Sequence, residues 1–258
     1  MINNIIHFVF GFKEQTNEFL FCYYLSVYSA FLVNKPNKIF FYYHFEPFGK
    51  WWDQLATIPC IIFKKVNLPE FIGRKKIIKF AHKADCFRLK KLESEGGIYL
   101  DIDTISIRPF THLLNYDTVI GKELCADGSG DRICNAIMLS KPNSKFLKLW
   151  LANYESHFNP KGWGESSLFL PYNLARKYPS LVKVESPDVF FLPGWNETEK
   201  IFCAKRKIPD NLITLHLWET TSMKYMKQIN DWEWGKINNH TMYGKIMLHL
   251  INKYNLNF

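Results

Sequence analysis

A single α/β domain with a mostly parallel central sheet is the fold class that the sequence predicts, and three observations carry that expectation. The chain opens on a continuous apolar run, Ile5 to Phe10, ended by Gly11, which suits a strand buried on both faces. Strand-like and helix-like stretches then alternate, the order that crossover helices impose on parallel strands. The third observation is the stretch Glu95-Gly96-Gly97-Ile98-Tyr99-Leu100-Asp101-Ile102-Asp103. It reads as a helix end, a short buried strand and two carboxylates at the strand's far tip.

Taken in order, Thr16 is placed to cap an aromatic helix from Phe19 to Val33, which Asn34-Lys35-Pro36-Asn37 breaks. Lys38 to Tyr43 and Cys60 to Val66 read as strands around a short helix between Gly49 and Thr57. A helical pattern covers Lys76 to Glu95. Val119 to Glu123 and Ala136 to Leu139 read as strands flanking a Gly-rich surface loop, 126–131. Ser144 caps a helix to about Tyr154, and a helical stretch opening at Gly162 ends or kinks near Pro171. Val189 to Leu192 and Leu212 to Leu217 read as strands, and an amphipathic helix from about Thr241 to Tyr254 closes the chain. No repeat, linker or compositional shift marks a boundary, so residues 1–258 are expected to form one domain.

Hydrophobic residues make up 47% of the 258 positions and charged residues 22%, the balance of a folded globular chain. The net charge of +9 is unevenly spread: ten Lys or Arg residues between Lys64 and Lys91 face only Glu70 and Asp85. Such a patch suits an anionic partner, whether nucleic acid, a membrane surface or a phosphorylated small substrate. The six cysteines lack metal-ligand spacing and are expected to be reduced core thiols. The N-terminal segment has no basic region followed by a long apolar run, and a cytoplasmic protein is expected, with attachment to a membrane surface compatible with that expectation.

The chemistry concentrates around two carboxylates. Asp101 and Asp103, at period two, would share one face of an extended segment and could hold a divalent cation while leaving positions open for phosphate oxygens. On the preceding helix, Ile78, Ala81, Asp85, Leu89 and Leu92 fall on one stripe with Arg88 beside it. Two charges on an apolar stripe are costly unless they have a task.

The run Ala84-Asp85-Cys86-Phe87-Arg88 followed by Glu95 to Asp103 resembles the DXD-containing sugar-binding region of family 32 glycosyltransferases, and more distantly the clostridial glucosylating toxins. Ile5 to Phe10 is similar to that family's first strand and Leu215-His216-Leu217-Trp218 to its C-terminal His-x-Trp element. The resemblance implies a GT-A fold, a Rossmann-like nucleotide-sugar domain. It implies Asp103, Asp101 and His216 as ligands of manganese or magnesium, Asp101 also toward the ribose, and Asp85, Arg88 and Asn135 on the donor sugar. Phe8 and Phe10 would lie toward the nucleotide base, and Trp218 would close over the leaving phosphate, joining Asp101 and Asp103 in the catalytic set. The implied reaction is retaining transfer of a hexose from a UDP-sugar, with GDP-sugars second, to a glycan, glycolipid or protein acceptor, with no nucleic-acid partner. Glu165 and Asp131 are loop carboxylates that could face the site.

Two other readings compete. Haloacid-dehalogenase phosphatases also place Asp-x-Asp after an apolar strand, but continue with Thr or Val where this chain has Ile105, and they give no role to Gly96-Gly97 or to Asp85 and Arg88. A non-catalytic nucleic-acid or membrane-surface protein would explain the basic stretch, but no RNP, zinc-finger or helix-turn-helix pattern accompanies it.

Overall fold

A computed structural model describes residues 1–123 and 132–256. The chain runs β1 (Ile5–Val9), α1 (Phe21–Asn34), β2 (Lys38–Tyr43), α2 (Lys50–Leu55), β3 (Ile61–Lys65), β4 (Phe71–Ile72), β5 (Lys75–Lys76), α3 (Phe80–Glu95), β6 (Gly97–Leu100) and β7 (Thr104–Ser106). It continues through β8 (Thr118–Glu123), β9 (Arg132–Ser140), α4 (Lys145–His157), α5 (Leu170–Lys177), β10 (Lys183–Glu185), α6 (Pro187–Phe190) and α7 (Glu199–Phe202). β11 (Thr214–His216), α8 (Glu219–Met226), α9 (Glu233–Ile237) and α10 (Met242–Tyr254) complete it. Seven strands form one sheet in the order β10-β8-β9-β6-β1-β2-β3, in which only β9 runs antiparallel to its neighbours.

Period-two alternation sorts the strand residues between two cores. Ile6, Phe8, Ile39, Phe41, Ile98 and Leu100 face the layer that holds α1 and the C-terminal helices. Tyr42, Tyr99 and Met138 face the opposite layer, with Leu89 and Leu92 of α3 and Trp150 of α4. Both faces being covered, the central strands read as unbroken apolar runs. Among the described residues no helix is long and apolar enough to cross a membrane.

The caps at Ser144 and Thr241 are present, each side chain accepting from a backbone N–H of the first turn. Elsewhere the expectations need correction. α1 starts at Phe21 with Leu20 as its N-cap and no side-chain cap, so Thr16 lies outside it. The segment before α3 is a β4–β5 hairpin, pairing Phe71 with Lys76 across Gly73 at φ 56. The helix begins only at Phe80, which leaves Ile78 outside it and exposed; Ala81, in its first turn, is exposed too, and the buried stripe is His82, Asp85, Cys86, Leu89 and Leu92 with Arg88. Val189 and Phe190 are helical, after a Pro187 that presets the first turn, while the stretch opening at Gly162 is a π-helical segment, Glu165–Phe169, that passes into α5 beside Pro171, the kink expected there. The described cysteines are unpaired, but Cys203 is exposed and Cys60 half-buried, so not all are core thiols. The 126–131 loop, with Asp131, and Cys125 lie outside the described residues.

The junction between α3 and β6 positions everything that follows. Gly96 at φ 67 and Gly97 at φ 105 turn the chain directly from helix to strand with no intervening loop. His7 secures it: its Nε2 lies 2.9 Å from the Gly96 carbonyl and its Nδ1 3.1 Å from the Tyr42 hydroxyl. Burial pushes the imidazole down to about 4, so the ring is neutral, and a carbonyl can only accept, which places the proton on Nε2.

A Cβ at Gly97 would stand 2.6 Å from the Ile5 carbonyl oxygen and 2.9 Å from His7 Nε2, in a backbone region that side chains rarely adopt. Gly97→Ala is therefore expected to lose about 2–4 kcal/mol of stability. Urea denaturation checks this, and an unchanged midpoint would contradict the close approach.

Candidate active site

Asp101 leaves β6 with its N–H still donating to Ala136, at 2.8 Å, one step beyond the β6–β9 ladder. The chain then turns. The N–H and hydroxyl of Thr104 both donate to the Asp101 carbonyl, at 3.2 and 2.8 Å. The two carboxylates therefore converge across a tight turn, not along one face of an extended segment.

β7 follows at once, and β11 pairs with it antiparallel, setting His216 opposite Thr104. That ladder carries a residue more than a hundred positions away to Asp103. His216 Nε2 lies 3.2 Å from Asp103 Oδ2, the Leu217 N–H donates to the Asp103 carbonyl at 2.8 Å, and the Glu219 N–H donates to Asp103 Oδ2 at 2.7 Å. One ligand atom from each of Asp101, Asp103 and His216 lies within 4.8 Å of the others. Two carboxylates and an imidazole form an oxygen-and-nitrogen set able to hold a divalent cation. His216 Nδ1 is buried without a hydrogen-bond partner, so the ring has an unsatisfied polar atom in a set able to hold a cation.

The opposite wall comes from α3. Arg88 grips Asp101 with two parallel bonds, Nη1 to Oδ2 and Nη2 to Oδ1, both 3.0 Å. Its Nη1 also donates to the Asn135 carbonyl at 3.0 Å, its Nη2 lies 3.7 Å from Asp85, and its plane sits 4.5 Å above the Tyr99 ring. Asn135 Nδ2 donates to Asp85 Oδ1 at 2.7 Å. The structure thus brings Asp85, Arg88 and Asn135 into one hydrogen-bonded group against Asp101.

Electrostatics separate the two acids. Burial raises the Asp101 carboxyl and outweighs Arg88, leaving it above its ordinary value. Burial also pushes Asp103 up, but His216 and the Glu219 N–H overcome it and hold that carboxyl low. His216 moves the other way, lowered by burial and lifted past its ordinary value by Asp103, as expected of an ion pair.

Trp218 follows β11 with a left-handed φ of 58, an uncommon conformation for a bulky residue. It lays the indole over His216, with ring centroids 4.1 Å apart, while its Nε1 donates to the Pro193 carbonyl at 2.8 Å. Phe10 is half-buried against Phe19 and Tyr23. Phe8 requires correction: it is fully buried against Phe41 in the sheet core and presents no face to a nucleotide. Glu165 hydrogen-bonds Asn159 at 3.0 Å rather than any residue of the carboxylate cluster.

Two participants went unrecognised in the sequence. Tyr99 donates its hydroxyl to Asp101 Oδ1 at 2.7 Å, and its position two residues earlier on a strand was the available signal. Glu219 is a half-buried acid whose Oε1 accepts from the Tyr23 hydroxyl at 2.9 Å. Burial first, then Asp103, raises its carboxyl to about 7. An acid directly after His-x-Trp was its only trace in the sequence.

Sheet order and site together define a GT-A type glycosyltransferase fold. The glycosyltransferase GlyE of Streptococcus pneumoniae superposes with a TM-score of 0.52 at 13% identity, over 98% of this chain and 64% of that one. Mouse xyloside xylosyltransferase 1 superposes with a TM-score of 0.51 at 12% identity, over 86% of this chain and 99% of that one. Residues 25–123 match the glycosyltransferase sugar-binding region containing the DXD motif. Glucan organizing enzyme 1 of Cryptococcus neoformans var. grubii is 36% identical over 244 residues, which cover 89% of this chain and 66% of that protein. The chain belongs to this DXD-containing glycosyltransferase family.

Arg88→Ala would strand Asp101 and Asp85 without a countercharge, and a loss of roughly 3–5 kcal/mol in thermal or chemical denaturation is expected. Glu219 gives a pH signature in chelator. Because its folded carboxyl is raised from 4.5 to about 7, its contribution is complete below 4.5 and lost as pH rises through about 7. Glu219→Gln should therefore gain roughly 1–3 kcal/mol over the parent protein near pH 8 and nothing near pH 4. Equal differences at both pH values would contradict the raised carboxyl.

Proposed function

We propose that the protein transfers a hexose, with retention, from a nucleoside diphosphate sugar to a glycan, glycolipid or protein acceptor in a reaction dependent on manganese or magnesium. UDP-sugars are the favoured donors and GDP-sugars the second choice. The observation that carries this reading is the junction of two groups, the Asp101, Asp103 and His216 cluster on one side and the Asp85, Arg88 and Asn135 group on the other. A bare phosphate site has no use for the second group, whereas a sugar with several hydroxyls does.

Asp103, Asp101 and His216 would hold the divalent cation, which when bound supplies positive charge to the departing diphosphate. Arg88 offers donors and Asp85 acceptors to sugar hydroxyls, each fixed by the other and by Asn135 before any ligand arrives. Phe10 lies toward the base and Asp101 toward the ribose. The indole of Trp218, anchored on the Pro193 carbonyl, covers His216 and keeps water from that side of the leaving group. Before a cation binds, Glu219 holds its proton up to about pH 7 and so adds little negative charge beside Asp103. Charge separation as the glycosidic bond to phosphate breaks is met by groups already oriented for it. The reading assigns no covalent nucleophile.

The test is a panel of UDP- and GDP-sugars incubated with the protein and manganese, following release of nucleoside diphosphate. Slow hydrolysis of at least one donor is expected, abolished by chelator and reduced about 100-fold or more in Asp103→Ala. Folded protein that neither turns over nor binds any nucleotide sugar would refute the proposal.

A further inference from the structure

One end of α3 carries a cluster of exposed apolar side chains set among cations. Phe71, Ile78, Phe80 and Trp163 are 52%, 62%, 42% and 63% exposed. They belong to three segments held in one place. The Lys79 ammonium donates to the carbonyls of Lys161 and Gly162, at 2.9 and 2.7 Å, and lies 5.6 Å from the Trp163 ring centroid. That contact holds Trp163 at the Lys79 side chain, in the same short region of the surface as Ile78 and Phe80 on either side of Lys79 in the chain. The β4–β5 hairpin places Phe71 opposite Lys76, and the Lys75 ammonium ties it to α4 through the carbonyls of Glu155 and Phe158, at 2.9 and 2.8 Å. The polar contacts fix the framework while the four apolar groups stay in solvent.

Scattered exposed apolar residues need no explanation, but a fixed group of large ones points to an occupant. Arg74, Lys76 and Lys161 are exposed around it and Lys83 half-exposed, against the exposed acids Glu70 and Glu155, so the border carries a net positive charge. We infer that this surface docks on an anionic lipid bilayer, with Phe71, Ile78, Phe80 and Trp163 entering the headgroup boundary and the cations meeting anionic headgroups. A single-stranded nucleic acid would use the aromatic rings for stacking but has no use for the branched aliphatic Ile78. A second copy of the chain would bring one positive border against another.

The placement bears on the proposed transferase reaction. At about 1.5 Å per residue, Asp85 lies roughly 7.5 Å along α3 from Phe80. Docking by this patch would hold the donor pocket close to the bilayer surface, where a lipid-linked acceptor presents its hydroxyl. The surface itself does not depend on that chemistry, since lipid binding is read without any donor.

The experiment is flotation of the full chain with vesicles of phosphatidylcholine alone and of phosphatidylcholine mixed with phosphatidylserine. Binding to the mixed vesicles only is expected. It should fall roughly fivefold for each of Lys76→Ala and Lys83→Ala, and be lost in the Ile78→Ser and Trp163→Ser double variant, whose exposed positions leave the fold intact by circular dichroism. Asp103→Ala should bind as the parent does, so a failed transferase assay and failed vesicle binding remain separate results. No binding to either vesicle, equal binding to both, or binding indifferent to the double variant would overturn the inference. Retention by a single-stranded oligonucleotide in place of the vesicles would overturn it in favour of nucleic acid.

Discussion

Two carboxylates cannot occupy one buried turn without countercharges, and the elements around β6 are placed to supply them. Arg88, from the helix before the strand, takes both oxygens of Asp101. His216, from a strand far later in the chain, takes Asp103. Leaving either acid uncompensated would cost several kcal/mol, comparable to a large share of a domain's net stability. The short β7–β11 ribbon is thus more than a local pairing, since its register decides which imidazole meets which carboxylate. Backbone donors from Leu217 and Glu219 reinforce the same junction, so the C-terminal region closes on the first half of the chain at its most charged point.

Much of this was legible in the residues. The continuous apolar strands announced a sheet covered on both faces, and charges at Asp85 and Arg88 on an apolar stripe announced a site. What escaped reading has physical causes. A turn rather than an extended segment at Asp101 depends on Thr104 donating backward, a local choice that period-two spacing does not record. The hairpin ahead of α3 consists of two-residue strands, too short to show a pattern. Val189 to Leu192 is an apolar run that fits strand or helix equally, and Pro187 tipped it to helix. Phe8 and Phe10 illustrate the limit most directly. Both are aromatic and both lie near the end of β1, yet one is sealed in the core and the other reaches its edge, a difference set by where the first strand stops.

Glu219 and Tyr99 were hidden for a different reason. Tyr99 stands inside the quoted stretch, but its bond to Asp101 and its contact with Arg88 are not announced by residue type, whereas Glu219 meets Tyr23 and Asp103 only in the folded chain. Glu219 in particular owes its raised carboxyl to burial and to Asp103, two features absent from its local sequence. Glu219 thus tunes a charged cluster without belonging to its signature.

The loop-free junction at Gly96 and Gly97 has a consequence for how such a chain can vary. A helix rotates its side chains by about 100° with each added residue, whereas a strand reverses them. With no slack between α3 and β6, inserting one residue anywhere from Arg88 to Asp101 would swing the guanidinium away from the carboxylate or turn the carboxylate to the other face. Length changes are therefore confined to other connections, whose flanking elements do not share an ion pair of this kind. The interval from Arg88 to Asp101 behaves as a ruler, and its length is set by geometry before any chemistry is chosen.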